Sequence, residues 1–405
     1  MNLRIAWRNI WRNKKRSFIT ISSVILAVVL STFTRSFQEG SYELMIENAI
    51  GKFSGYVQVH QKDYWEDKTL DNGIDVSDSL IKQILATPGV EGVNIRIESF
   101  SLASNKNNTK GTLVMGIEPA KEDSLIDLSR KIIKGKYFND KDKGILIGSK
   151  LAQYLELDVN DSLVLMGQGH WGNTAVGIFP VKGIVKMPAP NIDRQIVFMP
   201  LKTARAYFSF PDGATSLVVK FKDADLTQQI CKSLNARLDT AQYKAMTWQK
   251  MSPEMLQQIQ SDRISGIMML GILYMIIAFG IFGTVLMMTE ERRREFAMMV
   301  AVGMQKSKLS IVTLYEAFIM NSLGIIVGIA LSIPLVVYYH YYPIEMSGEM
   351  AKSIEKFGIE PVLPTMISFK IIFNQALTVL IITIVAAAYP VWSIFKLNVI
   401  KGLRR

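Results

Sequence analysis

Four segments of this 405-residue chain are each long and apolar enough to cross a hydrocarbon core of about 30 Å, which takes about 20 apolar residues. They run from Ser17 to Phe37, Ile264 to Met288, Leu309 to Tyr339 and Ile371 to Phe395. The 49% hydrophobic content and the mean hydropathy of +0.21 therefore reflect apolar blocks. The expected fold class is an α-helical membrane protein with four transmembrane helices and a large mixed α+β domain between the first two. The first block follows a basic flank, RNIWRNKKR, as a secretory signal would. It is longer than a signal's apolar region, and no small-residue cleavage motif follows in FTRSFQEG, so it reads as an uncleaved span.

Charge sets the expected orientation, because basic residues accumulate on the cytoplasmic side. Arg4, Arg8, Arg12, Lys14, Lys15 and Arg16 give the N-terminal flank +6, the segment from Glu290 to Lys308 nets +2, and Lys396, Lys401, Arg404 and Arg405 give the tail +4. The net charge of +11 is thus carried by these three segments, and the remainder is close to neutral. The basic balance is a topology signal that needs no nucleic-acid partner. Both termini are expected in the cytoplasm of a bacterial inner membrane, with the large domain periplasmic. The resulting division is 1–16 interfacial helix, 17–37 first span, 38–262 periplasmic domain, 264–288 second span, 289–308 coupling segment, 309–339 third span, 340–370 periplasmic loop, 371–395 fourth span and 396–405 cytoplasmic tail.

In the outward region, β-branched runs alternate with helical patterns. GYVQVHQ, TLVMGIEP, GILIG, DSLVLMG, FPVKGIV, RQIVFMP and SLVVKFK predict strands, while SLIKQILAT, SKLAQYLEL, LKTARAYF and LTQQICKSLNARL predict helices. Two subdomains are expected. SYELMIENAIG and SPEMLQQIQSDRISG read as helices continuous with the first and second spans. Cys231 stands alone, so an intrachain disulfide is excluded. His60, His170 and His340 are too scattered to suggest a metal site, and none is expected.

The sequence holds no phosphate-binding loop; GILIGSK has the wrong spacing for one and reads as a strand followed by a helix start. It also lacks G-x-S-x-G and H-E-x-x-H. The chain is therefore expected to be non-catalytic and to bind no cofactor, with any energy supplied by another subunit. The charged stretch TEERRREFAMMVAVGMQKSKL draws attention because it lies between two spans. On a helix, Phe296, Met299, Val300 and Gly303 form one narrow apolar face preceded by Arg292, Arg293, Arg294 and Glu295, and Gly303 suits a left-handed helix end. Such a helix either rests on the inner leaflet or docks into a cytoplasmic partner. Near the N-terminus, Leu3, Trp7, Ile10 and Trp11 form one helical face and Arg4, Arg8 and Arg12 another, the pattern of an interfacial helix in contact with membrane lipids. Gly324, Gly328 and Ser332 repeat every four residues in the third span, which permits close helix packing. Glu316 sits about seven residues, or ~10 Å, into that span. A carboxylate there needs a partner such as Arg293 or Lys15, and the pairing either fixes the helix or tunes its movement.

The motif REFAMMVAVGMQKSKL resembles the coupling segment of the FtsX-like ABC permeases, the family of the lipoprotein-releasing permeases LolC and LolE and the membrane part of the MacB exporter. The resemblance extends to IAWRNIWRNKKRSFIT, YEAFIMNSLGIIVGIALSIPL, AAYPVWSIFKLNVIKGLR, VMGIEP, GILIGSKLAQYLELDVNDSLVL and NIDRQIVFMPL, and so to nearly the whole chain. Glu316 matches the family's glutamate in its span. The resemblance implies a permease paired with a second one, identical or homologous, and with two copies of a cytoplasmic ABC ATPase that bind the ATP and magnesium. ATP-driven closure would then move the spans and, through them, a MacB-like periplasmic domain acting on a lipoprotein or another periplasmic substrate. The LolC hook carries a proline, whereas GQGHWGNTAVGIF has none before Pro180, leaving Trp171 as either an exposed tip or a buried residue. MacB carries its ATPase on the same chain and this sequence does not, which favours the lipoprotein-releasing arrangement. A membrane-anchored ligand sensor is the alternative of another class, and a sensor needs no docking helix between its second and third spans.

Overall fold

The computed structural model describes residues 2–12, 14–106, 108–349, 351 and 362–399. The side chains of Leu3, Arg4 and Arg16, all of Lys401, Arg404 and Arg405, and residues 350 and 352–361 of the expected 340–370 loop lie outside the described residues. The chain divides into two compact units. One comprises Met1–Glu43, Ile259–Glu345 and Val362–Arg405, and the other is chiefly Leu44–Gln258.

The first unit is helical. Helix α1 (Asn2–Arg12) precedes α2 (Lys14–Ile46), which continues into a π-helical turn, Glu47–Ser54. Among the described residues, four helices are long and apolar enough to cross a membrane: Ser17–Ser54, Pro253–Glu291, Lys306–Tyr341 and Phe369–Phe395. The shortest has 27 residues, or about 40 Å at 1.5 Å per residue, which exceeds the hydrocarbon thickness. Val24, Ala27 and Val28 of α2 pack with Ile281, Val379 and Ala386 to make the bundle core. The two expected helical extensions are present, at Ser41 to Gly51 and from Pro253 onward.

The second unit is mixed α+β. Its strands are β1 (Val57–Gln61), β2 (Ile74–Asp75), β3 (Gly92–Asn105), β4 (Asn108–Ile117), β5 (Ile132–Gly135), β6 (Ile145–Gly148), β7 (Ser162–Gln168), β8 (Thr174–Val185), β9 (Ile196–Pro200), β10 (Gly213–Ala214), β11 (Ser216–Lys220) and β12 (Tyr243–Thr247). Ten of them make one sheet in the order β12-β1-β11-β3-β4-β9-β6-β8-β5, with β7 bridging β3 and β8. Strands β3, β4, β9, β6, β8 and β7 therefore close on themselves. Three clusters of buried apolar residues pack on this sheet, one of them built from Met115, Ile117, Leu146 and Phe198. Ile97, Ala103, Ile147, Leu165 and Val197 fill the closed part, beneath helices α5 (Ser149–Leu155) and α7 (Leu201–Tyr207). Val57, Val59, Val93 and Leu217 pack under α3 (Asp78–Leu85) and α8 (Thr227–Arg237). Strand β3 contributes to the core of the closed part and to the one under α3 and α8, so these two share one backbone.

All seven expected strands and four expected helices of this unit form. GILIGSK is strand β6 followed by α5, and buried Asp193 accepts hydrogen bonds from the backbone N–H groups of Ser149, Lys150 and Met187, which fixes that helix start. Cys231 is a buried thiol whose Sγ donates to the Ala245 carbonyl, and burial pushes its pKa up. The three histidines stay apart: His60 is buried against Thr215, His170 stacks on Phe210, and His340 meets the Thr365 carbonyl.

Candidate coupling site

Helix α10 (Pro253–Glu291) gives way at Arg292 to the short helix α11 (Arg293–Ala301), and α12 (Lys306–Tyr341) follows. A complete C-terminal turn makes this compact. Gly303 has φ +102°, its N–H donates to the Val300 carbonyl at 3.1 Å, and Met304 N–H reaches back to Met299 at 3.0 Å. These are the two bonds by which a left-handed residue satisfies the last helical carbonyls. Lys306 then donates to the carbonyls of Phe395 and Leu397 at 3.1 and 2.8 Å, at the end of α13 (Phe369–Phe395).

The apolar face read from the sequence turns inward. Phe296 and Ala297 are buried against Leu309, Ile394 and Leu397, and Met299, Val300 and Met304 pack around them. The face expected either to rest on the inner leaflet or to dock into a partner thus covers the ends of α12 and α13, with Phe296 buried and Met299 and Val300 partly so. The exposed side of α11 carries Arg294, Met298 at 47% exposure and, just beyond it, Val302 at 90%.

Arg292 is likewise buried. Its guanidinium donates to both carboxylate oxygens of Glu316, one bond being 3.2 Å, and lies over the Phe296 ring at 5.1 Å. Glu316 also accepts a 2.6 Å hydrogen bond from Asn9 of α1. Glu295 accepts from Arg12 at 3.0 Å and lies 3.7 Å from Arg292 Nε. A polar chain from Arg12 through Glu295, Arg292 and Glu316 to Asn9 thus joins α1, α11 and α12. This corrects the expected partner of Glu316: Arg293 instead pairs with Glu290 at 3.2 Å, and Lys15 is exposed. The helix break at Arg292 redirects its side chain into the bundle. Beside the pair lies a cavity of about 40 Å³, lined in part by Thr289, Thr313, Asn321 and Thr383. It has room for a few waters at about 10–15 Å³ each.

The small residues of α12 face α2. A Cβ on Gly324 would lie 2.8 Å from Val24 Cβ, and one on Gly328 would lie 2.8 Å from Val28 Cβ. Ser332 is fully buried, with its hydroxyl donating to Ile329 O. Trp7 and Trp11 are both about half exposed, and their rings meet edge to face at 6.0 Å. In the second unit, Trp171 is 76% exposed at the β7–β8 hairpin, with a positive φ of 57°, and its N–H donates to Asp71 at 2.6 Å. Among the described residues no group of three or more His, Cys, Asp or Glu side chains is placed to hold a metal. Sequence reasoning missed Asn9 and the Arg12–Glu295 contact. Asn9 lies beside the arginine face of α1, but Asn2 shares that helix, and without the position of α12 neither pointed to a partner.

Residues 17–237, more than half of the chain, match the family of MacB-like periplasmic core domains, and residues 267–399 match the FtsX-like permease C-terminal region. The chain belongs to this MacB-like, FtsX-like ABC permease family. The lipoprotein-releasing system transmembrane protein LolC of Xylella fastidiosa (strain 9a5c) is 24% identical over 340 residues, 79% of each chain. The corresponding LolE of Haemophilus influenzae (strain ATCC 51907 / DSM 11121 / KW20 / Rd) is 21% identical, covering 64% of this permease and 63% of its own length. The crystal structure of the periplasmic region of MacB from Actinobacillus actinomycetemcomitans aligns with a TM-score of 0.36 at 13% identity, over 53% of this permease and 95% of that chain. This permease is accordingly an inner-membrane protein of four apolar helices with a MacB-like periplasmic domain, and its family is one of transport subunits rather than catalysts.

Proposed function

We propose that this permease transmits ATP-driven motion from a cytoplasmic ABC ATPase, present in two copies, to its periplasmic domain, and that the work performed is release of lipoproteins from the inner membrane. Both termini and α11 face the cytoplasm in this reading. A second permease, identical or homologous, completes the complex, and ATP and magnesium reside on the ATPase. The observation that carries the proposal is the polar chain Arg12–Glu295–Arg292–Glu316–Asn9. Force applied to the exposed side of α11 at Arg294, Met298 and Val302 reaches α12 and α1 through charged, hydrogen-bonded contacts rather than through a mobile loop.

The direct test is co-purification. Val302→Asp and Met298→Asp place a charge on the outer side of α11 without touching its packed face, and each should lower recovery of the ATPase while the permease still inserts. Unchanged recovery would favour the sensor reading. A second substrate class remains in view because the β7–β8 hairpin has no proline before Pro180 and presents an exposed Trp171. If the assembled complex hydrolyses ATP but frees no lipoprotein from membrane vesicles, the substrate is another periplasmic molecule.

A further inference from the structure

A groove of about 430 Å³ opens beside the junction of α1 and α2 and reaches α12. Phe18, Ile21 and Leu323 form its apolar wall, and Trp11, Lys14 and Lys15 stand at its polar end. Phe18 is 72% exposed at the start of the span that begins at Ser17, an apolar surface suited to a lipid chain. Among the described residues no carboxylate pairs with Lys14 or Lys15, whereas Arg12 already serves Glu295. Lys14 Nζ lies 6.0 Å from the centre of the Trp11 ring. We propose that this groove binds one anionic phospholipid, with its phosphate between Lys14 and Lys15 and an acyl chain along Phe18, Ile21 and Leu323.

Charge complementarity selects this occupant. The groove asks for an anion joined directly to a long apolar chain, and an anionic phospholipid supplies both in that order. A second groove of similar size, lined by Ile311, Leu314, Phe318, Leu380 and Ile384, has no cation on its walls and supplies an internal control. A lipid held beside Trp11 would contact the same α1 that carries Asn9 and Arg12, so the site would brace the helix next to the coupling chain. The inference rests on the proposed orientation, which places this end of the bundle in the anionic cytoplasmic leaflet.

The test is native mass spectrometry of the full-length permease in neutral detergent. Phosphatidylglycerol and phosphatidylcholine of identical acyl chains are supplied as probes. Wild type should retain phosphatidylglycerol in preference. Lys14→Gln/Lys15→Gln should weaken that preference by roughly 25-fold, about fivefold per lost cation. Leu323→Trp, which fills the groove and leaves the charge intact, should abolish it, and Leu380→Trp in the cation-free groove should leave it unchanged. If the lysine pair matters but Leu323→Trp does not, the effect is diffuse surface charge and the site is overturned; equal retention of both lipids overturns it outright. Because lipid retention is read without the ATPase, loss of the site would leave the co-purification result for the proposed function standing.

Discussion

Arg292 and Glu316 form an ion pair at the end of the helical bundle with side-chain exposures of only 6% and 5%. Asn9 completes the shell of the carboxylate, and the Phe296 ring lies against the guanidinium. A buried pair of this kind is weak evidence for stability, since desolvation can offset the attraction, but breaking it is expensive because the remaining charge has no partner.

The first prediction separates fixing from transmitting. Arg292→Met alone and Glu316→Leu alone should each cost about 3–5 kcal/mol and sharply lower the amount of folded permease. Combining them removes both charges and should restore thermal stability in detergent close to wild type. If the pair transmits motion, the restored double variant will assemble with the ATPase yet hydrolyse ATP without releasing substrate. Wild-type release by that variant would leave the pair a purely structural role.

The second prediction concerns the contact between α2 and α12. In Gly324→Val the new Cβ would fall 2.8 Å from Val24 Cβ and 3.2 Å from the Ile21 carbonyl oxygen, so the helices must separate. Overpacking of this kind typically costs about 1–3 kcal/mol. Val24→Gly in the same chain should recover part of the loss in a thermal unfolding cycle. Additive effects would mean that the two residues do not meet.

The elements that the sequence revealed are those whose pattern repeats within one segment. Long apolar blocks marked the four helices, and short β-branched runs marked seven strands. Strand β3 was passed over although Val93, Ile95 and Ile97 alternate with Asn94, Arg96 and Glu98 at the strand period; what the alternation does not show is that Arg96 is buried, because Glu122 meets it from 26 residues later. The coupling site divides the same way. Glu316 announced itself as a carboxylate in an apolar block, and Gly303 as a helix end. Helical periodicity identified the Phe296 face but not its neighbour, since Ile394 and Leu397 come nearly a hundred residues later. Arg292 was grouped with Arg293, Arg294 and Glu295 ahead of the apolar face because the break between α10 and α11 leaves no mark in the spacing.

The third prediction tests the buried pair of the periplasmic domain. Arg96 and Glu122 are fully buried and 2.5 Å apart, Asn94 donates to Glu122 at 3.2 Å, and the second carboxylate, Glu98, is 3.7 Å from Arg96. Glu122→Gln should destabilise this domain by about 3 kcal/mol, because it strands the guanidinium between β3 and helix α4 (Pro119–Ile126). Glu98→Gln should cost distinctly less, as that side chain is partly exposed and farther away. Limited proteolysis of the full-length permease should show faster cleavage in the order Glu122→Gln, Glu98→Gln, wild type, and equal rates for the two variants would refute the assignment.

The last prediction concerns pH and rests on His60. Its ring is buried and stacked on Tyr64 at 5.2 Å, and Nδ1–H donates to the Thr215 carbonyl at 3.0 Å. Among the described residues Nε2 has no hydrogen-bond partner. Burial is the main reason its pKa falls to about 4, with the nearby Lys68 charge acting in the same direction and the Thr215 bond opposing them. At neutral pH the imidazole is uncharged in both folded and unfolded chains, so it imposes no penalty there. As the pH drops below about 6.5 the unfolded chain binds a proton that the folded domain refuses until about 4. Stability is therefore lost across that window, by about 3 kcal/mol at its lower end. Thermal unfolding of the full-length permease between about pH 7 and about pH 4.5 should show this slope superimposed on that of the carboxylates. His60→Gln keeps a donor for Thr215 and removes the titration, so its melting temperature should fall less steeply over the same interval. A variant that parallels wild type throughout would show that His60 accepts its proton in the folded domain as readily as in the unfolded chain.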